Sequence, residues 1–385
     1  MHTKKYDLII VGGGILGTFH AYHALKKGLS VLQLEKDCFP TGSTVRNFGQ
    51  VVPSGMAGDW FDYGARGLEI YNTIQSEFDI SVRNNGSFYI ASDDDEVKII
   101  HELAAHYNTK GYSHEMWGKK QILSAFPHLK SDYVRESIVF KQELSVEPET
   151  MIHRLHIYLK QKFERYTLHY NTTVLECESP SQGVKVTATD KQVFEGEKAI
   201  ICNGYEFKIL FRELFNDSDL EISKLQMLRT IPLKEINLPG NILTGLTIRR
   251  YESFEAYCPS FHNIPTPTHY GELKQWGIHI LFKQALDGSI IIGDSHEYAP
   301  ANRFEELGFT SQQFINELML AEANRILSLP SHSIATTWSG FYSQHKHHIV
   351  EHDIDARIHI RTGIGGKGMT ASAGYAEKSV ASLYA

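Results

Sequence analysis

The chain has 385 residues, 42% hydrophobic and 22% charged, which suits a globular protein of two domains sharing one extensive core. Its formal charge of -7 leaves no basic excess to neutralise phosphates, which excludes nucleic acid as the main partner. No apolar run approaches the length of a membrane span, and the run over 8–16 is broken by glycines rather than built as a signal peptide.

The first 35 residues carry a complete dinucleotide-binding βαβ pattern. An apolar strand over 6–11 runs into Gly12, Gly14 and Gly17 and then a helical stretch over 18–25. A second strand over 30–34 ends on Glu35. Gly12 permits the tight turn, Gly14 lets the backbone approach a pyrophosphate, and Gly17 lets the helix pack on the sheet. The free amides of the first helical turn attract phosphate. Glu35 stands where a carboxylate accepts the ribose hydroxyls of an adenosine. An ordinary strand-loop-helix would leave Glu35 unexplained.

Beyond residue 80 the character changes several times. Residues 81–90 alternate around an Asn85-Gly86 turn, and helical patterns cover 93–107 and 118–126. Pro148 suits the first turn of a helix over 150–163. Strands follow over 173–177, 184–189 and 198–202, the last ending on Asn203-Gly204. The stretch 224–296 reads as β-rich, with strands over 278–282 and 289–293 joined across Asp287-Gly288. A helix over 311–327 precedes a strand over 358–362, a glycine-rich loop over 363–370 and a closing helix over 371–383. That last strand, loop and helix form a second place where backbone amides and a helix N-terminus meet an electron-rich group, unless the loop is simply a turn. The expected architecture is mixed α/β: a Rossmann-like domain of 1–80, 148–223 and 330–385, interleaved with a β-rich substrate domain of 81–147 and 224–329.

Cys38, Cys177, Cys202 and Cys258 are scattered without ligand-like pairing, so reduced thiols and a cytoplasmic location are expected. His345, His347 and His348 are the densest of 20 histidines, but no acid or cysteine supports them at metal-site spacing. No metal is expected there.

Taken together, the motifs resemble the glycine/D-amino-acid oxidase-like FAD-dependent oxidoreductases, a group that includes sarcosine and glycine oxidases, over nearly the whole chain. The resemblance implies that FAD is held by Gly12, Gly14, Ile15, Leu16, Gly17, Glu35, Lys36, Ser43, Asn47, Val174, Asn203 and Gly204. It places Gly365, Gly366, Lys367, Gly368, Met369 and Thr370 under the flavin pyrimidine. The segments 43–51, 226–230 and 293–298 resemble more narrowly the members associated with phosphonate utilisation, which implies an aminophosphonate such as 2-aminoethylphosphonate or its N-methyl derivative. The implied reaction moves hydride from the carbon beside nitrogen to the flavin, after which the imine hydrolyses. With one dinucleotide fingerprint only, oxygen or another acceptor takes the electrons. A glycine, sarcosine or D-amino-acid oxidase, and a dehydrogenase subunit serving a partner protein, are the alternatives; a catalytically silent nucleotide-binding regulator is a third.

Arg46, Asn47 and Gln50 follow the loop after the second strand, where this family places groups near the flavin ring. Arg46 either holds an anion or makes a salt bridge at a domain seam. His279 alternates with apolar residues, as a core histidine also would, and His296 at a strand end is the better pocket residue. Tyr251 and Tyr257 are cavity-shaping candidates. No arginine follows Trp338-Ser339-Gly340, where amino-acid oxidases of this kind clamp the substrate carboxylate. The strand over 290–292 lacks the oxygen-activating lysine of sarcosine oxidases, so Lys283, Lys367 or a protonated histidine would have to replace it. With no cysteine over 338–348, the FAD is expected to be non-covalent.

Overall fold

The computed structural model describes residues 5–385; the first four residues of the segment 1–80 lie outside them. The chain opens with β1 (Lys5–Val11), α1 (Ile15–Lys26) and β2 (Val31–Leu34), and a long helix α2 (Gly58–Glu77) follows. Further along come β3 (Val193–Ile201), β4 (Glu221–Thr230), β5 (Leu281–Gln284) and β6 (Ile290–Gly293). The last parts are β7 (Ile334–Gln344), β8 (Ile358–Thr362) and α3 (Gly368–Leu383).

Two large sheets organise these elements. In the first, β8, β3, β1, β2 and Tyr166–His169 lie side by side and parallel, with Val350–Asp353 antiparallel at the edge beside β8. Both faces of the central strands are covered, which is why β1 and β2 read as apolar runs without alternation. α1 is buried on nearly every side, because it lies between this sheet and α3. His20 Nε2 meets Ser379 Oγ at 3.0 Å and His23 Nε2 meets the Ala373 carbonyl at 2.9 Å, tying α1 to α3. On its other side α3 touches α2 backbone to backbone: a Cβ on Gly374 would sit 2.3 Å from the Tyr63 carbonyl oxygen.

The second sheet has nine strands, and β4 is its longest spine after β7. β4 pairs with β6, with Glu297–Pro300 and, along its whole length, with β7. The sequence segment 330–385 groups β7 with the nucleotide-binding parts, yet β7 pairs in the second sheet. Its Ser-, Thr- and aromatic-rich sequence hides the strand, whose faces are half wet. The stretch 224–296 also holds short helices at Gly245–Ile248, Glu252–Tyr257 and Gly271–Gln275, which no periodic pattern announces at such lengths. β5 and β6 form a hairpin in which Leu281 faces Gly293, with β5 beginning three residues later than the apolar run over 278–282.

The core carries imidazoles kept neutral. Burial pushes His20, His156 and His279 down from about 6.5 to about 3. Because the unfolded chain protonates them first, each withdraws roughly 1.4 kcal/mol of stability per pH unit below about 6.5. Glu143 works the other way: burial raises it to about 7, so its protonated form favours the fold as pH falls from 7 to 4.5. Three groups outweigh one. Denaturant midpoints should therefore drop between pH 6.5 and 5; a flat profile over that window would refute this account.

Candidate functional site

The carboxyl ends of β1, β2 and β3 meet at one edge of the first sheet, where strand order reverses around β1. Gly12 has φ of +115°, and a Cβ on it would lie 2.1 Å from the Cys202 carbonyl oxygen, so this turn accepts only glycine. At the end of β2 the Glu35 side chain is held by two backbone donors: Gly13 N–H donates to Oε2 at 2.8 Å and Asp37 N–H to Oε1 at 3.0 Å. Both oxygens retain lone pairs for a diol. The first amide of α1 is already engaged, with Ile15 N–H donating to Thr44 Oγ1 at 2.9 Å.

From this edge a cavity of about 560 Å³ runs between the two sheets. It is lined at one end by Glu35, Lys36, Thr173 and Val174, and along its length by the 41–50 loop, Asn203 and Gly204, and residues 362–370. Its far end is formed by Arg250, Tyr251, His279, Asp294, His296 and Tyr342, all from the second sheet or the short helices beside it. Buried Gln50 Nε2 and Asn203 Oδ1 have no hydrogen-bond partner within the protein and both residues line this space. A ligand filling this cavity would give these buried polar atoms their missing partners. With Glu35 at one end, these atoms midway and the N-terminus of α3 across from them, the residues present fit an extended FAD.

Every residue named for the cofactor lines the cavity, as do Asn47, Gln50, His279 and His296. Arg46 does not. Its Nε donates to the Thr41 carbonyl at 2.8 Å and its own carbonyl accepts from Trp338 Nε1 at 3.2 Å, so it clamps the 41–47 loop to β7. Asn47 spends its amide locally: Nδ2 donates to the Thr44 carbonyl at 2.7 Å and Oδ1 accepts from Gly49 N–H at 2.7 Å. It shapes the loop that presents Gln50. Lys283 lies outside the lining, fully buried, with Nζ donating to the Val146 carbonyl at 2.7 Å. Burial lowers it to about 8 despite Glu147 nearby. Lys367 does line the cavity and pairs with Glu252. Tyr257 lies off the cavity, where its Oη accepts the Gly58 N–H at 2.7 Å.

The far end also contains Asp294, Arg250 and Tyr342, which the sequence did not single out. Asp294 follows β6 directly, and the antiparallel pairing of β5 with β6 sets it against His279, whose N–H donates to the Asp294 carbonyl at 3.0 Å. Two strands joined by the Asp287-Gly288 turn were legible, and pairing them on paper would have brought 279 to 294–296. Burial alone would raise Asp294, but His279 and His296 hold it down at about 2. Burial lowers His296 as well. At neutral pH the cluster is thus one carboxylate between two neutral imidazoles. Tyr251 and Tyr342 are kept protonated by burial.

The comparisons with known proteins agree with this geometry. The family model described as DAO, FAD dependent oxidoreductase, matches residues 7–381. An opine oxidase subunit of Rhizobium meliloti is 22% identical over 351 residues, spanning 88% of this chain and 82% of that protein. Among solved structures, L-proline dehydrogenase from P. horikoshii superposes with a TM-score of 0.78 at 16% identity, over 98% of this chain and 93% of that one. Glycine oxidase from Bacillus cereus gives 0.77 at 17% identity, over 98% and 97%.

Proposed function

Since the chain belongs to the DAO family of FAD-dependent oxidoreductases and is an FAD enzyme acting on amino compounds, we propose that its substrate is a small amine carrying a separate anionic group, of the aminophosphonate type. The observation that carries this reading is the far end of the cavity, where Arg250 stands among two imidazoles, two phenols and the Asp294 carboxylate. No arginine follows Trp338-Ser339-Gly340, so an α-carboxylate lacks its usual clamp, while an anion further from the nitrogen meets Arg250.

FAD, held without a covalent link, would supply the two-electron oxidation of the substrate's C–N bond to an imine, which water would then hydrolyse. The protein's part is placement and charge. Gln50 Nε2 would offer an unspent donor to the cofactor, and the start of α3 lines the same cavity with a helix dipole behind it. Tyr251 and Tyr342 wall the substrate end and exclude water from the reacting carbon. Arg250, whose Nη2 donates to Tyr298 Oη at 3.0 Å, holds the anion at a fixed distance from that carbon.

The test is anaerobic mixing of the yellow protein with 2-aminoethylphosphonate, its N-methyl form, sarcosine, glycine and D-alanine, following the visible flavin band. Bleaching by the phosphonates alone is expected. Bleaching by sarcosine or D-alanine in their place would discard the phosphonate reading and leave an amino-acid oxidase. The similarity to an opine oxidase component supports a second reading for the acceptor, in which electrons leave to a partner protein. Fast reoxidation by an artificial dye combined with slow reoxidation by oxygen would favour it.

A further inference from the structure

The carboxylate at the end of the cavity poses a problem for an anionic substrate, because a buried negative charge stands where the anion should bind. Its geometry offers a resolution. One ligand atom each from His279, Asp294 and His296 lies within 4.8 Å of the other two. The His279–Asp294 separation is 3.1 Å and the His296–Asp294 separation 3.5 Å. His279 Nδ1 and Asp294 Oδ1 are both buried and, although this close, do not hydrogen-bond each other, whereas the Asp294 carboxylate does bond the His296 ring.

The remaining nitrogen of His296 is accounted for elsewhere, and the His279 ring also has an outer partner. His296 Nδ1 meets Ser223 Oγ at 3.0 Å, and the Gly277 backbone hydrogen-bonds the His279 ring. Fixing one ring nitrogen by an outer partner is how histidine is oriented toward a metal. Spacing separates the two cations that would answer the charge. Ligand atoms about 2.1 Å from a tetrahedral ion stand about 3.4 Å apart. Acceptors about 2.9 Å from an ammonium nitrogen stand about 4.7 Å apart. The two separations to Asp294 lie nearer the metal spacing.

We propose that His279, Asp294 and His296 bind a divalent transition-metal ion, with zinc the ion best suited to two imidazoles and one carboxylate, and with an open coordination position facing the cavity. Three protein ligands and a free position are the pattern of metal sites that bind a substrate group. The ion turns a net charge of -1 in the cluster into +1 beside Arg250, so this end of the cavity attracts the anion that Asp294 alone would repel. The open position takes an oxygen of the substrate's phosphonate or equivalent anion; this second half rests on the function proposed above, whereas the metal site does not.

The experiment uses the full chain with FAD bound, stripped with a chelator and then dialysed against Zn²⁺, with metal counted by elemental analysis. One equivalent per chain is expected. Asp294→Asn should weaken binding at least about 100-fold and Ser223→Ala about 10-fold, each with FAD content unchanged. Wild-type protein that retains no more zinc than Asp294→Asn overturns the site, and so does loss of zinc binding in neither variant. Should Asp294→Asn fail to fold, the wild-type count and Ser223→Ala still decide. For the ligand, Co²⁺-loaded protein should broaden the phosphorus resonance of ethylphosphonate, which has no amine to oxidise, and Co²⁺-loaded Ser223→Ala should do so less. Broadening absent in a protein that holds one equivalent of metal removes the anion from the open position and leaves the metal in place. Failure of phosphonates to bleach the flavin counts only against the substrate reading.

Discussion

Gly12→Ala protein should leave purification colourless. The residue sits at φ of +115°, where a side chain costs about 1–3 kcal/mol, and its Cβ would lie 2.1 Å from the Cys202 carbonyl oxygen. That carbonyl directly follows the buried end of β3, so relief can come only by moving the β1 turn. The turn holds Gly13, whose N–H fixes Glu35 at 2.8 Å, so one shift disturbs the pyrophosphate approach and the ribose carboxylate together. A loss of about 3 kcal/mol is about a 100-fold weaker hold on FAD. Flavin content per chain after gel filtration measures it. Gly28→Ala is the control: φ there is +83°, but nothing lies within 4 Å of the added carbon, so it carries strain without obstruction and keeps its colour. Equal FAD content in Gly12→Ala and wild type would refute the role given to this turn.

Arg249→Ala should be the most destabilising single change near the substrate end, by about 3–5 kcal/mol. Glu96 is fully buried, and its carboxylate receives Arg249 Nε at 2.7 Å together with Ser92 N–H at 2.7 Å. Burial, with Asp93 adjacent, raises the Glu96 carboxyl, and Arg249 opposes that. Arg249 is itself 9% exposed and also pairs with Asp93 at 2.7 Å. Removing the guanidinium strands a buried charge with no route to water. The same residue anchors the segment bearing Arg250 and Tyr251, so the cavity end should loosen as well. Denaturant midpoints measure the loss, and adding Glu96→Gln to Arg249→Ala should recover part of it by discharging the stranded group. Two changes that simply add would show that packing, not charge, accounts for the effect.

Much of this was legible because the first sheet obeys strong local rules. A strand buried on both faces is a continuous apolar run, and the glycines of the phosphate turn are set by backbone geometry that no other residue matches. The flavin loop at 365–370 was legible for the same reason. The substrate end was not, because its residues come from short helices and from β7, where neither period nor composition is distinctive. Arg46 shows the limit differently. Its neighbours Asn47 and Gln50 face the cavity, but an arginine is long enough to turn back, and carbonyls of Thr41 and Ser339 lie within its reach. Residue type and position in a loop do not say which way such a side chain goes. Asp294 shows the reverse, since the hairpin that places it was readable and only the pairing step was left out.

The order of the chain has a consequence for how the protein is made. β1, with its phosphate turn, is synthesised first, yet its neighbour β3 begins at Val193 and the strand beyond, β8, at Ile358. α3, which buries one side of α1 and starts at the cavity, comes later still. Until those later segments are made, a growing chain carries an exposed apolar α1 and a half-formed cradle, a stage at which open strand edges invite aggregation. If residues 365–370 hold the flavin as proposed, FAD has no complete site until they have emerged, and its loading comes late in synthesis.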